Sequence, residues 1–196
     1  MGIRRPLFIA AVVIAAYAIL NALPLNGILR HGSARPDPGD PIDSLHGVVV
    51  RYNNGMRATH GRNVVDGYNV GLRYQCVEFV KRYYLEHFDH RMPNSYGHAK
   101  DFFDTTLADG AYNQDRGLLQ FTNPSATRPR IGDILVLDAW TGNSFGHVAI
   151  VSSVEDDEVE VIQQNTRSTR TTYDLERAAG LWRIDADRVS GWLHKP

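Results

Sequence analysis

One cysteine is all this chain holds in 196 residues, and that scarcity excludes any internal disulfide framework. A lone thiol in a chain that reads as exported has no bridge to form, so Cys76 is either a small buried apolar residue or a nucleophile. Excess charge is missing too. A formal net charge of −1 gives no electrostatic basis for nucleic-acid binding. No internal repeat is present, and no low-complexity tract lies outside residues 31–43. A hydrophobic content of 43% excludes disorder for most of the chain, and the length suits one domain with an appendage.

Long hydrophobic runs are confined to the N-terminus. Arg4 and Arg5 precede an unbroken apolar run over residues 7–20, which extends to residue 25 if Asn21 and Pro24 are tolerated. The shorter span suits a signal-peptide core, and the longer approaches the roughly 20 residues that cross a bilayer. Ala16-Tyr17-Ala18 satisfies the small-residue cleavage rule but sits inside the run. Residues 1–30 are therefore expected to be an uncleaved signal anchor, the alternative being a cleaved signal peptide. A buried core helix fits less well because the run has no polar face. The two arginines would stay in the cytoplasm and the remainder would be translocated. The expected location is the membrane, facing the periplasm or cell exterior, or secretion after cleavage. Residues 31–44 turn to Gly, Pro, Asp and Ser and read as a tether, with a folded domain over residues 45–196.

Within that domain, residues 47–52 read as a β-branched strand followed by a polar loop to Gly71. Cys76, Val80 and Tyr83/Tyr84 then fall on one helical face through about His87. Pro93-Asn94-Ser95 breaks the chain, and a second helix is expected with Ala99, Phe102, Phe103 and Leu107 on one side. After Arg128-Pro129-Arg130 the period becomes that of strands: residues 134–137, 147–154, 158–165 and a last one carrying Trp192. Helices first and an antiparallel sheet afterwards predict an α+β fold.

The hairpin over residues 147–165 carries the chemistry. A three-residue turn at Glu155-Asp156-Asp157 would pair 154 with 158 and hence 147 with 165. His147 would face Asn165, with Gln163 diagonal to it, while Glu158, Glu160 and Gln164 would point to solvent. A one-residue change in the loop would undo this. Cys76, at a helix N-terminus, is placed where its thiolate is favoured, and an imidazolium from His147 would favour it further. A side-chain amide oxygen from Asn165 or Gln163 would hold the imidazole in one orientation.

Two rivals are weaker. Gly142-Asn143-Ser144-Phe145-Gly146 matches the G-x-S-x-G nucleophile elbow, but a strand follows where a helix is required. His87, His90 and His98 straddle Pro93 and fit no zinc signature, so no metal is expected. No other cofactor is indicated. Gln75 is a candidate oxyanion residue beside the Cys76 N–H, or simply a polar residue at a helix start. Glu78 and Lys81 are expected on a solvated face. Trp140 and Phe145 are expected either to wall a substrate groove or to lie in the core.

Taken in order, Tyr74-Gln75-Cys76-Val77-Glu78-Phe79, Gly132-Asp133-Ile134, Gly146-His147-Val148-Ala149-Ile150 and Gln164-Asn165 resemble the CHAP (cysteine, histidine-dependent amidohydrolase/peptidase) family of the papain-like superfamily. Within that family the likeness is to amidase domains of the glutathionylspermidine synthetase/amidase type, including Asp66-Gly67 and Gly191-Trp192. It covers residues 47–192, with no synthetase half. It implies a papain-like domain with N-terminal helices on an antiparallel sheet, Cys76 as nucleophile and His147 as base. Relatives usually carry Glu-Gln-Asn where this chain has Gln163-Gln164-Asn165, so a neutral amide replaces the carboxylate that would orient the histidine.

Three functions follow as expectations. The first is an exported amidase or endopeptidase acting on peptidoglycan peptides through a thioester. The second is a glutathionylspermidine-type small-amide hydrolase. The third is a membrane-tethered binding module whose site has relaxed.

Overall fold

The computed structural model describes residues 35–196. The expected N-terminal apolar helix and membrane anchor lie outside the described residues. No helix among those described is long and apolar enough to cross a membrane. Residues 36–196 form one compact unit.

That unit begins earlier than expected. Pro41–Leu45 is not tether but strand β1, paired antiparallel with β2 (Val48–Arg51). Asp43 fastens it to the body through Arg170, at 3.0 Å. A second hairpin joins β3 (Arg62–Val65) to β4 (Tyr68–Leu72). Then comes α1 (Cys76–Phe88), which ends where Asp89 turns left-handed and its N–H reaches back to the Tyr84 carbonyl, a common helix stop.

The remaining strands are β5 (Ala111–Asn113), β6 (Leu118–Thr122), β7 (Ile134–Leu137), β8 (His147–Val154), β9 (Glu158–Ile162), β10 (Arg170–Ala178), β11 (Leu181–Asp185) and β12 (Val189–His194). They build one antiparallel sheet in the order β11-β10-β9-β8-β7-β12-β6-β5. The expected second helix is absent. Only a single 3-10 turn, Lys100–Phe102, forms there, because Phe102 is buried in the core and Asn113 Nδ2 takes its carbonyl at 3.1 Å. The structure is thus mostly sheet with one α-helix among the described residues, rather than helices packed on a sheet.

Period-2 alternation buries both faces of the central strands. Ile134, Val136, Val148 and Ile150 pack with Phe79, Val80, Tyr83 and Tyr84 of α1. The intervening Leu135, Leu137, Ala149 and Val151 pack instead with Leu175, Ile184 and Trp192. Strands far apart in the sheet meet in that second cluster because the sheet curls. Edge strand β11 reaches the β6–β7 connection through Asn123, whose Nδ2 lies 2.9 Å from the Ile184 carbonyl oxygen.

Candidate active site

Two chain ends of regular structure create the site. Cys76 is the first residue of α1, with extended Gln75 before it. His147 is the first residue of β8, opposite Leu137 of β7. Gly71 lets β4 lie against the helix start, since a Cβ there would come within 3.1–3.2 Å of Glu78. Gly146 does the same for the loop that delivers His147. It has φ +75°, and a Cβ would sit 2.7 Å from the Leu137 carbonyl oxygen, a backbone path and a closeness that only glycine accepts.

The paired part of the hairpin returns to the expected register by an unexpected route. The turn is one residue longer than a three-residue loop, with Val154 opposite Val159 and Ser153 opposite Glu160. A bulge at Ser152 absorbs the extra residue, and Val151 then opposes Val161 and Ile150 opposes Ile162. That step, continued, is the one the sequence predicted. Strand β9 stops at Ile162 rather than residue 165.

Beyond it, the three residues of the Gln-Gln-Asn run diverge. Gln163 is buried, and its Oε1 accepts from the Nε2–H of His147 at 3.0 Å. Its own Nε2 donates to Thr171 Oγ1 at 2.8 Å and to the Ser168 carbonyl at 3.2 Å. The carbonyl can only accept, so the amide is held with its oxygen toward the imidazole. Gln164 is not on a solvated face: it is fully buried, because α1 covers that side of the strand end. Its Nε2 donates to the Gln75 carbonyl at 3.1 Å and to Glu78 at 3.2 Å, and its Oε1 takes the Arg51 N–H at 2.7 Å. Asn165 is left-handed, with φ +65°, and is not brought to His147. Its Nδ2 donates to Gln75 Oε1 at 2.6 Å and to the Met56 carbonyl at 3.1 Å.

Cys76 and His147 lie side by side, close enough for side-chain and charge interactions to shift both groups. With Nε2 committed to Gln163, Nδ1 is the ring nitrogen left for the sulfur. Burial pushes the Cys76 thiol up, but the His147 imidazolium, its hydrogen bond and the Val148 and Val77 N–H groups outweigh it, and the net shift is downward. Burial likewise disfavours a charged His147, yet the facing thiolate and the Gln163 oxygen leave its pKa raised. Each group favours the charged form of the other.

The thiol opens on a groove of about 610 Å³ whose walls include Met56, Gln75, Cys76, Lys81, Tyr96 and Phe145. Phe145 is 56% exposed and lines the groove, whereas Trp140, 51% exposed, lies under the Arg188 guanidinium outside it. Neither is core. The Gln75 side chain is already engaged, its Nε2 donating to the Ala58 carbonyl at 2.9 Å. Glu78 and Lys81 are buried, at 3% and 1% exposure, because β2 and β4 flank the helix side expected to face solvent. Glu78 takes hydrogen bonds from Arg82 at 2.8 Å and Asn63 at 2.9 Å. Ser144 is exposed in the loop before β8, with no helix after it. His87 stacks on His46, His90 bonds the Arg116 carbonyl, and His98 lies against Phe145. No cluster of three metal-ligating side chains occurs among the described residues.

Sequence reasoning missed Thr171 and Lys81. The Thr171 role depends on the chain folding back after Asn165, which no local pattern signals. The Glu78/Arg82 spacing at i, i+4 was the one legible hint that this helix face is paired.

The model of the CHAP domain family matches residues 66–165. The trypanothione synthetase of Crithidia fasciculata is 26% identical over 148 residues, which is 69% of this chain and 23% of that protein. The chain therefore spans about a quarter of that relative's length. Among solved structures, the crystal structure of Ly7917 is 21% identical at a TM-score of 0.39, covering 62% of this chain and 53% of that one. The crystal structure of Ly7917 with the hydrolyzing product of MDP is 23% identical at a TM-score of 0.39, covering 72% and 60%. Superposition of that quality carries no argument about function.

Proposed function

We propose that this chain, which belongs to the CHAP domain family, hydrolyses amide bonds with Cys76 as nucleophile, His147 as base and acid, and Gln163 as the residue that orients His147. A hydrolase of amide bonds is what the family implies. The finer reading is carried by one observation, the placing of Cys76 on an open groove beside a His147 ring that Gln163 holds at 3.0 Å.

The chemistry follows from the ring's two nitrogens. His147 Nδ1 takes the thiol proton, and the Cys76 sulfur attacks the carbonyl carbon of the amide. The C–N bond then breaks as the imidazolium returns that proton to the leaving amine, which leaves a thioester on Cys76. Water, deprotonated by the same nitrogen, attacks the thioester, and the carboxylic acid departs with the thiol restored. The first N–H groups of α1 have no acceptor within the helix, so the Cys76 N–H is the donor offered to the oxyanion. The Gln75 side chain is engaged with the Ala58 carbonyl and Asn165. It positions the loop around Met56 rather than the oxyanion.

The substrate we propose is a peptide amide of peptidoglycan, reached by export. The apolar segment over residues 7–25 after Arg4 and Arg5 supports translocation. Incubating the protein with purified sacculi and counting new amino termini tests this. Wild type should release them and Cys76→Ala should not; equal release would end the proposal.

A second reading rests on the similarity to a trypanothione synthetase. It keeps the chemistry and replaces the substrate with a small amide of the glutathionylspermidine type. Turnover of glutathionylspermidine with inert sacculi would establish that reading over the first.

A further inference from the structure

The groove contains a buried cation that the proposed chemistry does not use. Lys81 lines it and is 1% exposed. Its ammonium donates to the carbonyls of Asn69 and Ser95, the second at 2.7 Å, and lies 4.8 Å from the centre of the Tyr68 ring. An ammonium has three hydrogens to donate. The third has no acceptor among the described residues, and no carboxylate among them pairs with this lysine. A buried charge left without a counterion is costly and rare.

The surroundings sharpen the anomaly. Arg57 and Arg62 also line the groove, and Asp101 is the sole acid on its walls. Arg62 spends a hydrogen bond on Asn69 Oδ1 at 2.8 Å, with no carboxylate of its own. Behind the wall lies Arg116, whose buried Nε has no acceptor. In a chain of net charge −1, this pocket concentrates positive charge.

We infer that the groove takes amide substrates bearing a free carboxylate, and that Lys81, backed by Arg62, holds it. The inference rests on the amide-hydrolase reading and adds the substrate's charge. Lys81 follows Cys76 by five residues on one helix, about 7.5 Å of axial rise. The carboxylate therefore belongs several bonds from the carbonyl that is cut, not on the adjoining atom.

Burial, together with Arg116 and Arg62, lowers the Lys81 pKa to about 8. Tyr68, whose own pKa burial raises, stays neutral across that range, and Asp101 also lines the groove. Carboxylate recognition should therefore weaken above about pH 8 as the ammonium loses its proton.

Alkylation of the single cysteine tests this without turnover. N-iodoacetylglycine carries its carboxylate beyond an amide, and N-iodoacetylglycinamide is its neutral twin. At low ionic strength the acid should label Cys76 about tenfold faster than the amide, a preference expected of electrostatic focusing in a cleft. Lys81→Arg should keep that ratio. Lys81→Met should bring it near one. Iodoacetate against iodoacetamide is the short-reach control: its carboxylate meets the His147 imidazolium, so its ratio should not respond to Lys81→Met. If Lys81→Met does not fold, wild type still decides, because its ratio should fall as pH rises through about 8. A ratio near one in wild type, or one indifferent to Lys81→Met and to pH, overturns the inference. Cleavage that does not depend on Cys76 would overturn the hydrolase reading instead, and the labelling ratio would stand apart from it.

Discussion

Two histidines meet an acidic partner at opposite ends of inner strands of the same sheet, and the pairs differ in what holds them. His147 opens β8 and faces Cys76 across an open groove. His194 closes β12 and bonds Asp133, just before β7, at 2.6 Å. In the first pair, mutual charge outweighs burial and lowers the thiol pKa. In the second, burial wins over the His194 bond, and the Asp133 pKa is raised. Asp133 also takes the Arg130 N–H at 2.8 Å, so its two oxygens pin a loop and a strand end. An acid–histidine contact is thus free for chemistry or committed to structure according to what else the acid must hold. Cys76 holds nothing else but N–H groups, and its far side is groove.

That comparison predicts a separation of effects. Cys76→Ala should remove amide cleavage by about a thousandfold or more, as loss of a nucleophile does, while the melting temperature stays within about 2 °C of wild type. A large fall in stability would break the comparison. His147→Ala should move the midpoint of Cys76 alkylation by iodoacetamide upward past that of an ordinary thiol, since burial remains and its counterion is gone. At pH 6 the rate should drop about tenfold or more. An unchanged midpoint would show that the pair is not coupled, as a relaxed binding module requires.

At the other end the outcomes should invert. His194→Phe should leave turnover intact and cost about 1–3 kcal/mol, because a buried carboxylate loses a partner. Its pH dependence carries a sign. A carboxyl whose folded pKa lies above its ordinary 3.8 contributes stability present below that value and lost as pH rises through the folded pKa. Losing His194 raises that pKa further, so chemical denaturation of the variant should show the loss continuing to higher pH than in wild type.

The smallest effect concerns how firmly the reactive ring is held. Thr171→Val removes one of the two acceptors that orient the Gln163 amide. It should lower kcat by about threefold to tenfold with little change in KM, since orientation and not binding is affected. Thr171→Ser should restore the rate. Equal effects of Val and Ser would mean that the methyl group, and not the hydroxyl, matters there.

Much of the site was legible because its parts are local. Helical spacing placed Cys76 at a helix start, and β-branched alternation placed His147 at the start of a strand. The pairing of Ile150 with Ile162 was anticipated although the turn was misjudged by one residue, since the bulge at Ser152 compensated; the expected pairing of His147 with Asn165 does not form. What escaped was everything settled by a third segment. The sequence left Gln163 and Asn165 both open as partners of the imidazole, and the choice fell to Gln163 because the chain leaves the sheet after Ile162. Residues 99–107 carry an amphipathic pattern, yet form only a turn because Phe102 is drawn into the core. Pro41–Leu45 looked like linker but completes a hairpin with β2.

By itself the chain's order of residues singled out the candidate sulfur, the histidine and the alternation of strands, because those depend on neighbours a few positions away. Folding in three dimensions decided which amide steers the ring, that Glu78, Lys81 and Gln164 are enclosed, and where the groove gathers its positive charge. The physical reason is that burial and pairing are set by whichever distant strand arrives alongside. No periodicity within a single segment records that arrival.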